Sequence, residues 1–206
     1  MPLIKLITSG AGCVGVWKID ETADELTRLA GAGMCDDLRD VSSPKRLREK
    51  CAVRALLYGM LQHIGKENCA MRIHYREDGS PYLDGNLFIS ISHTDGYAAV
   101  FLNTGIPVGV DIETRSPRAL KLVPRFEAEG EEYSDPDSAT VCWSVKECVF
   151  KLLGKEFSDF RKTMHIHPFS PAESGTLRVG LRRNGSNDCC DVNYCIDNDY
   201  VLAWIS

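Results

Sequence analysis

Asp111 and Glu113 stand two residues apart in Gly109-Val110-Asp111-Ile112-Glu113. On a strand, alternation puts both carboxylates on one face, about 7 Å apart, and leaves Val108, Val110 and Ile112 on the other, core-facing side. Two such carboxylates repel unless something positive lies between them. The same pattern also suits the solvated outer face of a sheet. A third acid comes from Trp143-Ser144-Val145-Lys146-Glu147-Cys148-Val149-Phe150-Lys151. On a helix, Val141, Val145, Cys148, Val149 and Leu152 form a buried stripe, while Thr140, Ser144, Glu147 and Lys151 share another. Glu147 and Lys151 are neighbours four apart, which alone also describes an ordinary exposed pair. If Glu147 faces the Asp111/Glu113 strand, three acids converge beside one lysine. Such hard oxygen donors suit magnesium, which keeps waters and substrate phosphates among its ligands. Lys151 would neutralise a phosphate under attack.

An anion would need a basic partner. Lys45, Arg46, Arg48, Lys50 and Arg54 crowd one segment, with Arg46, Lys50 and Arg54 recurring every four residues and Glu49 the local offset. This reads as an anion-binding surface or as a solvated helix face. Ser92-His93-Thr94 ends an apolar strand, and a hydroxyl and an imidazole can both bond phosphate oxygens. A structural histidine at a turn is the plainer alternative. His63, His74, His165 and His167 have no comparable neighbours and receive no role.

These side chains must be positioned by a sizeable core. The chain has 206 residues, 44% of them apolar, enough for one large domain or two small ones. Short strands are expected at Leu3–Thr8, Val14–Ile19, Met71–Tyr75, Leu87–Ile91, Tyr97–Leu102 and Val108–Ile112. Three more follow at Leu177–Leu181, Asp191–Ile196 and Tyr200–Ile205. Helices are expected at Glu21–Ala30, from Ser43-Pro44 to Ile64, at Leu120–Tyr133, and at Ala139–Leu153 capped by Asp137 or Ser138. Each half carries a long helix and several strands, so the reading is α+β with two similar halves, 1–103 and 104–206, joined near Asn103-Thr104-Gly105.

The formal net charge of -5 argues against a nucleic-acid partner by bulk charge. Nine cysteines without a C-x-x-C pair read as reduced core residues of a cytoplasmic protein. No signal peptide and no apolar run of about 20 residues is seen, so no membrane association is expected. The sequence lacks G-x-x-x-x-G-K-[ST], which removes a P-loop.

Phe88-Ile89-Ser90-Ile91-Ser92-His93, Pro107-Val108-Gly109-Val110-Asp111-Ile112-Glu113 and the Trp143–Lys151 block, in this order, resemble the three signature blocks of the 4'-phosphopantetheinyl transferases, specifically the longer surfactin-synthetase-activating type. Arg48–Leu57 and the turn Gly79-Ser80-Pro81 also fit. The resemblance spans Ser43 to Lys151. It implies two similar α+β halves with coenzyme A in the cleft between them, and a monomer, since shorter relatives form that cleft from identical subunits. It implies magnesium on Asp111, Glu113 and Glu147, with the coenzyme A pyrophosphate also at Asp111. Glu147 would take, or orient the base that takes, the proton of a carrier-protein serine. Lys151 would stabilise the phosphate or protonate the leaving group. Ser92, His93, Arg54 and Arg48 would touch the phosphate end of coenzyme A, with Gly79, Ser80 and Pro81 also in its site. Two departures stand out: Ser80 replaces a common lysine, which Arg76 could replace, and Cys148 stands where Ser or Ala is usual. A non-catalytic coenzyme A or carrier-protein binding module of the same fold is the alternative reading.

Overall fold

Twice along the chain a long helix lies on an antiparallel sheet, and in both cases a glycine lets it approach. The structure, a computed structural model, describes residues 3–66, 72–183 and 185–206. Two units divide it, Met1–Pro107 and Val108–Ser206.

In the first unit, β1 (Leu3–Ser9) and β2 (Gly12–Lys18) form a hairpin, followed by α1 (Ala23–Ala30) and α2 (Pro44–His63). Thr22 and Glu25 close a capping box on α1. Ser43 caps α2, and Pro44 occupies its first turn. The short pair β3 (His74–Tyr75) and β4 (Pro81–Tyr82) precedes β5 (Phe88–Thr94) and β6 (Tyr97–Asn103). The main sheet runs β1-β2-β6-β5. Leu56, Leu57, Met60 and Leu61 of α2 pack with Cys13, Trp17, Ala98, Val100 and Leu102. A side chain at Gly15 would meet Leu56 Cδ1 at 2.8 Å and Met60 Sδ at 2.7 Å.

In the second unit, β7 (Gly109–Thr114) is followed by α3 (Val123–Phe126), α4 (Pro136–Leu153), α5 (Phe160–Thr163), β8 (Met164–Ile166), β9 (Ser174–Arg183), β10 (Ser186–Ile196) and β11 (Tyr200–Ile205). The sheet order is β7-β11-β10-β9-β8. Val141, Val145, Cys148 and Val149 of α4 pack with Val179, Val192, Val201, Ala203 and Ile205. Cys148 is fully buried, as its small size and place on the apolar stripe suggested.

Several expected elements change. The helix expected over Leu120–Tyr133 is a 3-10 turn at Pro117–Lys121, then α3, which ends at Phe126. Beyond it, Glu131 is drawn into a buried ion pair that a continuing helix would not reach. Asp135, rather than Asp137 or Ser138, caps α4. β5 continues through His93 to Thr94, so His93 belongs to a strand and the turn is Asp95-Gly96. The strand expected from Met71 starts at His74, and Met71 itself lies outside the described residues. β8 was not expected: three residues are too few to show alternation.

Candidate active site

The acid pair sits where α4 meets β7. In β7, Asp111 lies opposite Ala203 and Glu113 opposite Val201 of β11, and those two partners belong to the core that α4 covers. Gly109 shares this face. A Cβ there would stand 2.3 Å from the Cys148 carbonyl oxygen, so only glycine lets the helix this close. The acids therefore look onto the helix, Asp111 buried and Glu113 half-buried. Val110 and Ile112, expected on a core face, are indeed buried, on the side of the strand away from the acids.

Three α4 residues spaced four apart meet this face. Trp143 Nε1 donates to Glu113 Oε1 at 3.0 Å. Lys151 Nζ donates to Asp111 Oδ1 at 2.7 Å and to the Val110 carbonyl at 3.1 Å. Glu147 falls between them on the same stripe. Burial raises the Glu147 pKa to about 7; the charges of Asp111 and Glu113 add to the rise, and Lys151 opposes it. Burial and the Asp111 charge likewise raise Glu113, against the Trp143 hydrogen bond and the Lys151 and Arg118 charges. Burial works against the Lys151 ammonium, but Asp111 and Glu147 outweigh it and leave its pKa raised. The three acids thus share one electrostatic neighbourhood, with Asp111 only 3% exposed. Among the described residues, no three His, Cys, Asp or Glu side chains are arranged as a ready metal cluster. Asp111 and Glu113 are oriented by Lys151 and Trp143 instead.

The donor chemistry nevertheless fits a hard divalent cation. The Asp111 charge raises the pKa of both Glu113 and Glu147, and a cation among the three carboxylates relieves that repulsion.

Lys146, next to Glu147 in sequence, points the other way. It is 0% exposed and donates to Glu131 Oε2 at 2.6 Å and to the Phe126 carbonyl at 2.7 Å. Glu131 also accepts from the amides of Ala128 at 2.7 Å and Ile166 at 2.6 Å. The acidic stretch after α3 is therefore anchored inward at Glu131. Trp143 and Lys146 stand in the Trp143–Lys151 block, but neither receives a role of its own from the sequence. Their signals were present: Trp143 is four residues before Glu147, and Lys146 interrupts the apolar side of the helix.

In the first unit the basic helix is not one exposed stripe. Arg46 is exposed, but Arg54 is 1% exposed, bonded to Asp37 and to the Lys50 carbonyl, so its guanidinium is engaged in the core. Arg48 is exposed, with Nη2 3.5 Å from the Ile19 carbonyl. Lys45 bonds Asp95 at 2.9 Å. His93 Nδ1 lies 3.6 Å from Glu49 Oε2, and its side chain is 47% exposed. Ser92, the next strand residue, points to the opposite face and is buried. Arg48, Lys45 and His93 therefore gather where the start of α2 meets the end of β5. At the separate turn, Gly79 takes a positive φ and Asp78 holds the Ser80 amide and hydroxyl. The Arg76 guanidinium lies over the Tyr82 ring at 4.9 Å, with Nη1 3.4 Å from Ser80 Oγ and from the Pro81 carbonyl. A cation is thus present beside Ser80 although residue 80 is not a lysine.

Residues 107–205 match the family model described as the 4'-phosphopantetheinyl transferase superfamily. Residues 38–103 match that of the 4'-phosphopantetheinyl transferase N-terminal domain. A 4'-phosphopantetheinyl transferase of Bacillus subtilis is 27% identical over 205 residues, covering 86% of this chain and 88% of that protein. The 4'-phosphopantetheinyl transferase gsp of Aneurinibacillus migulanus is 31% identical over 101 residues, covering 45% of this chain and 41% of that protein.

Proposed function

Because the chain belongs to the 4'-phosphopantetheinyl transferase superfamily, in its longer surfactin-synthetase-activating type, and is a transferase of that kind, we propose that it moves the phosphopantetheine arm of coenzyme A onto a serine of an acyl or peptidyl carrier protein. The carrier serine Oγ attacks the β-phosphorus of coenzyme A. The new O–P bond forms as the bond to the α-phosphate oxygen breaks, and 3',5'-adenosine bisphosphate leaves. Serine needs a nearby base. Glu147 suits this role because burial and two neighbouring acids bring its pKa to about 7, near working pH. Lys151 suits charge stabilisation at the phosphate, since its ammonium is kept protonated. Asp111, Glu113 and Glu147 would hold magnesium, which supplies charge neutralisation on the pyrophosphate oxygens when bound.

In this proposal the second half, 104–206, carries the metal ligands and the catalytic helix, and the first half, 1–103, carries the phosphate end of coenzyme A. Arg48 and His93 are given that end, Ser92 is left out of it because it is buried on the opposite face of β5, and Gly79, Ser80 and Pro81, with Arg76 alongside, are given another part of the same ligand. Arg54 is given a structural role because its guanidinium is held by Asp37. The proposed setting is a cytoplasmic monomer. Eight cysteines among the described residues are free thiols, and no described helix is long and apolar enough to cross a membrane.

The observation that carries the reading is Glu147 on one helix stripe with Lys151, facing the Asp111/Glu113 strand. Mass spectrometry tests it. A panel of carrier proteins is incubated with the enzyme, coenzyme A and magnesium. A mass gain of one phosphopantetheine arm on the carrier serine is expected, and it should require magnesium. Coenzyme A binding without a mass gain on any carrier would overturn the reading.

A further inference from the structure

We propose that Trp143 is a positioning residue for Glu113, an indole N–H that fixes this carboxylate for a divalent cation without cancelling its charge. The inference rests on the reading of Asp111, Glu113 and Glu147 as cation ligands.

The two acids of β7 are held in chemically different ways. Asp111 is bonded by an ammonium, Lys151, at 2.7 Å. Glu113 is bonded by a neutral donor, Trp143 Nε1, at 3.0 Å. Indole nitrogen only donates, so it can orient a carboxylate and cannot compete as a ligand. A glutamate side chain is long, and ordering it costs rotamer freedom. A fixed donor removes that freedom before a cation arrives. Hydrogen bonds to ligating carboxylates are a general means of setting metal affinity.

The donor itself is fixed. The Trp143 ring is tilted against Phe126 at 5.5 Å and against Phe160 at 5.7 Å. Phe126 also stacks on Tyr133 at 5.6 Å. The Phe126 carbonyl accepts from buried Lys146, which is in turn bonded to Glu131. One end of this chain of contacts is a fully enclosed ion pair, and the other is the Glu113 carboxylate. The indole is therefore held by packing within the second unit.

Trp143→Phe deletes the N–H and keeps a ring against Phe126 and Phe160. Binding of manganese, as a spin-active probe, is followed by electron paramagnetic resonance on the metal-free full chain. About a tenfold or greater loss of affinity is expected. The magnesium concentration for half-maximal transfer should rise by the same factor. At saturating magnesium, kcat and the KM for coenzyme A should stay within about threefold of the unmodified enzyme, because indirect positioning is outrun by excess metal. In a Glu113→Gln background, Trp143→Phe should add less than about twofold, since the shared partner is gone. Unchanged manganese affinity in Trp143→Phe overturns the inference, as does an equal loss with and without Glu113→Gln. A second measurement needs no change at Trp143. Among the indole N–H signals of the unmodified protein, one should shift on magnesium titration, and Glu113→Gln should abolish that shift. Three static indole signals overturn the inference. If the unmodified protein binds no divalent cation and Asp111→Ala transfers at full rate, the cation-site reading falls and takes this inference with it.

Discussion

Lys151 Nζ is bonded at once to the Asp111 carboxylate, at 2.7 Å, and to the carbonyl of Val110, at 3.1 Å. One ammonium thus ties the last turn of α4 to both the side chain and the backbone of β7. In the proposed mechanism this single pair has a chemical duty beside its structural one, and substitutions can separate the two.

Lys151→Met should fold but lose stability, because it leaves the Asp111 carboxylate, 3% exposed, without its ammonium. Lys151→Met combined with Asp111→Asn should recover stability and not activity. Both forms should transfer at least about 100-fold more slowly than the unmodified enzyme. Urea denaturation and initial rates of carrier modification measure the two effects. Near-normal transfer by the double variant would remove both residues from the site.

Glu147 sets the expected pH dependence. Its pKa lies at about 7 in the fold, against an ordinary value of 4.5. As the proposed base it works when unprotonated, so transfer should rise with pH and then level off, with a midpoint below the metal-free value of about 7 because a bound cation favours the carboxylate. Stability should move the other way. A carboxyl whose pKa is raised by folding favours the fold fully below its unfolded value and loses that contribution as pH rises through the folded one. The metal-free protein should therefore melt at lower temperature at pH 7.5 than at pH 5, as far as this group decides. Glu147→Gln should flatten that difference. A pH-melting profile identical in Glu147→Gln would assign the dependence to other groups.

Lys146 and Glu131 form an enclosed pair, with side chains 0% and 1% exposed. Lys146→Met leaves a buried carboxylate without its cation and should cost about 3–5 kcal/mol. Urea unfolding followed by circular dichroism measures it. A loss below about 1 kcal/mol would show that the pair is not closed off from water.

Gly109→Ala tests the approach of α4 to β7. The new Cβ would stand 2.3 Å from the Cys148 carbonyl oxygen, which is backbone and cannot rotate away. The helix must shift, at about 1–3 kcal/mol, and the Trp143–Glu113 and Lys151–Asp111 bonds shift with it. Melting temperature and transfer rate should both fall. Gly105→Ala, whose new Cβ has its nearest neighbour at 3.8 Å, serves as the control and should change neither.

Arg48 and Arg54 should separate by phenotype although both lie on α2. Arg48→Ala should raise the KM for coenzyme A about tenfold, the scale of a hydrogen bond to a charged group, and leave the melting temperature nearly unchanged. Arg54→Met should lower the melting temperature, because it strands Asp37 and opens a buried site. Equal effects on coenzyme A binding would return Arg54 to the anion surface.

Much of the site was legible because it is local. A strand repeats every two residues and a helix every 3.6, so Asp111 with Glu113, and Glu147 with Lys151, share faces whatever surrounds them. The ends of α2 and the start of β11 were readable for the same reason: Ser43-Pro44, Gly65 and an apolar β-branched run act within a few residues. The stretch after Phe126 was not. Its helical pattern lost to a carboxylate, Glu131, whose partners Lys146 and Ile166 lie 15 and 35 residues away.

Residue types and spacing alone determined that three acids and a lysine are available on two faces, and that each half holds a long helix with several strands. Only the tertiary structure decided which side of β7 the helix covers, and that Arg54 and Lys146 are interior while Arg48 is exposed. It alone also decided that Trp143 meets Glu113. The physical reason is range: backbone geometry orders neighbours within one element, whereas burial and ion pairing depend on what distant segments bring to the same place.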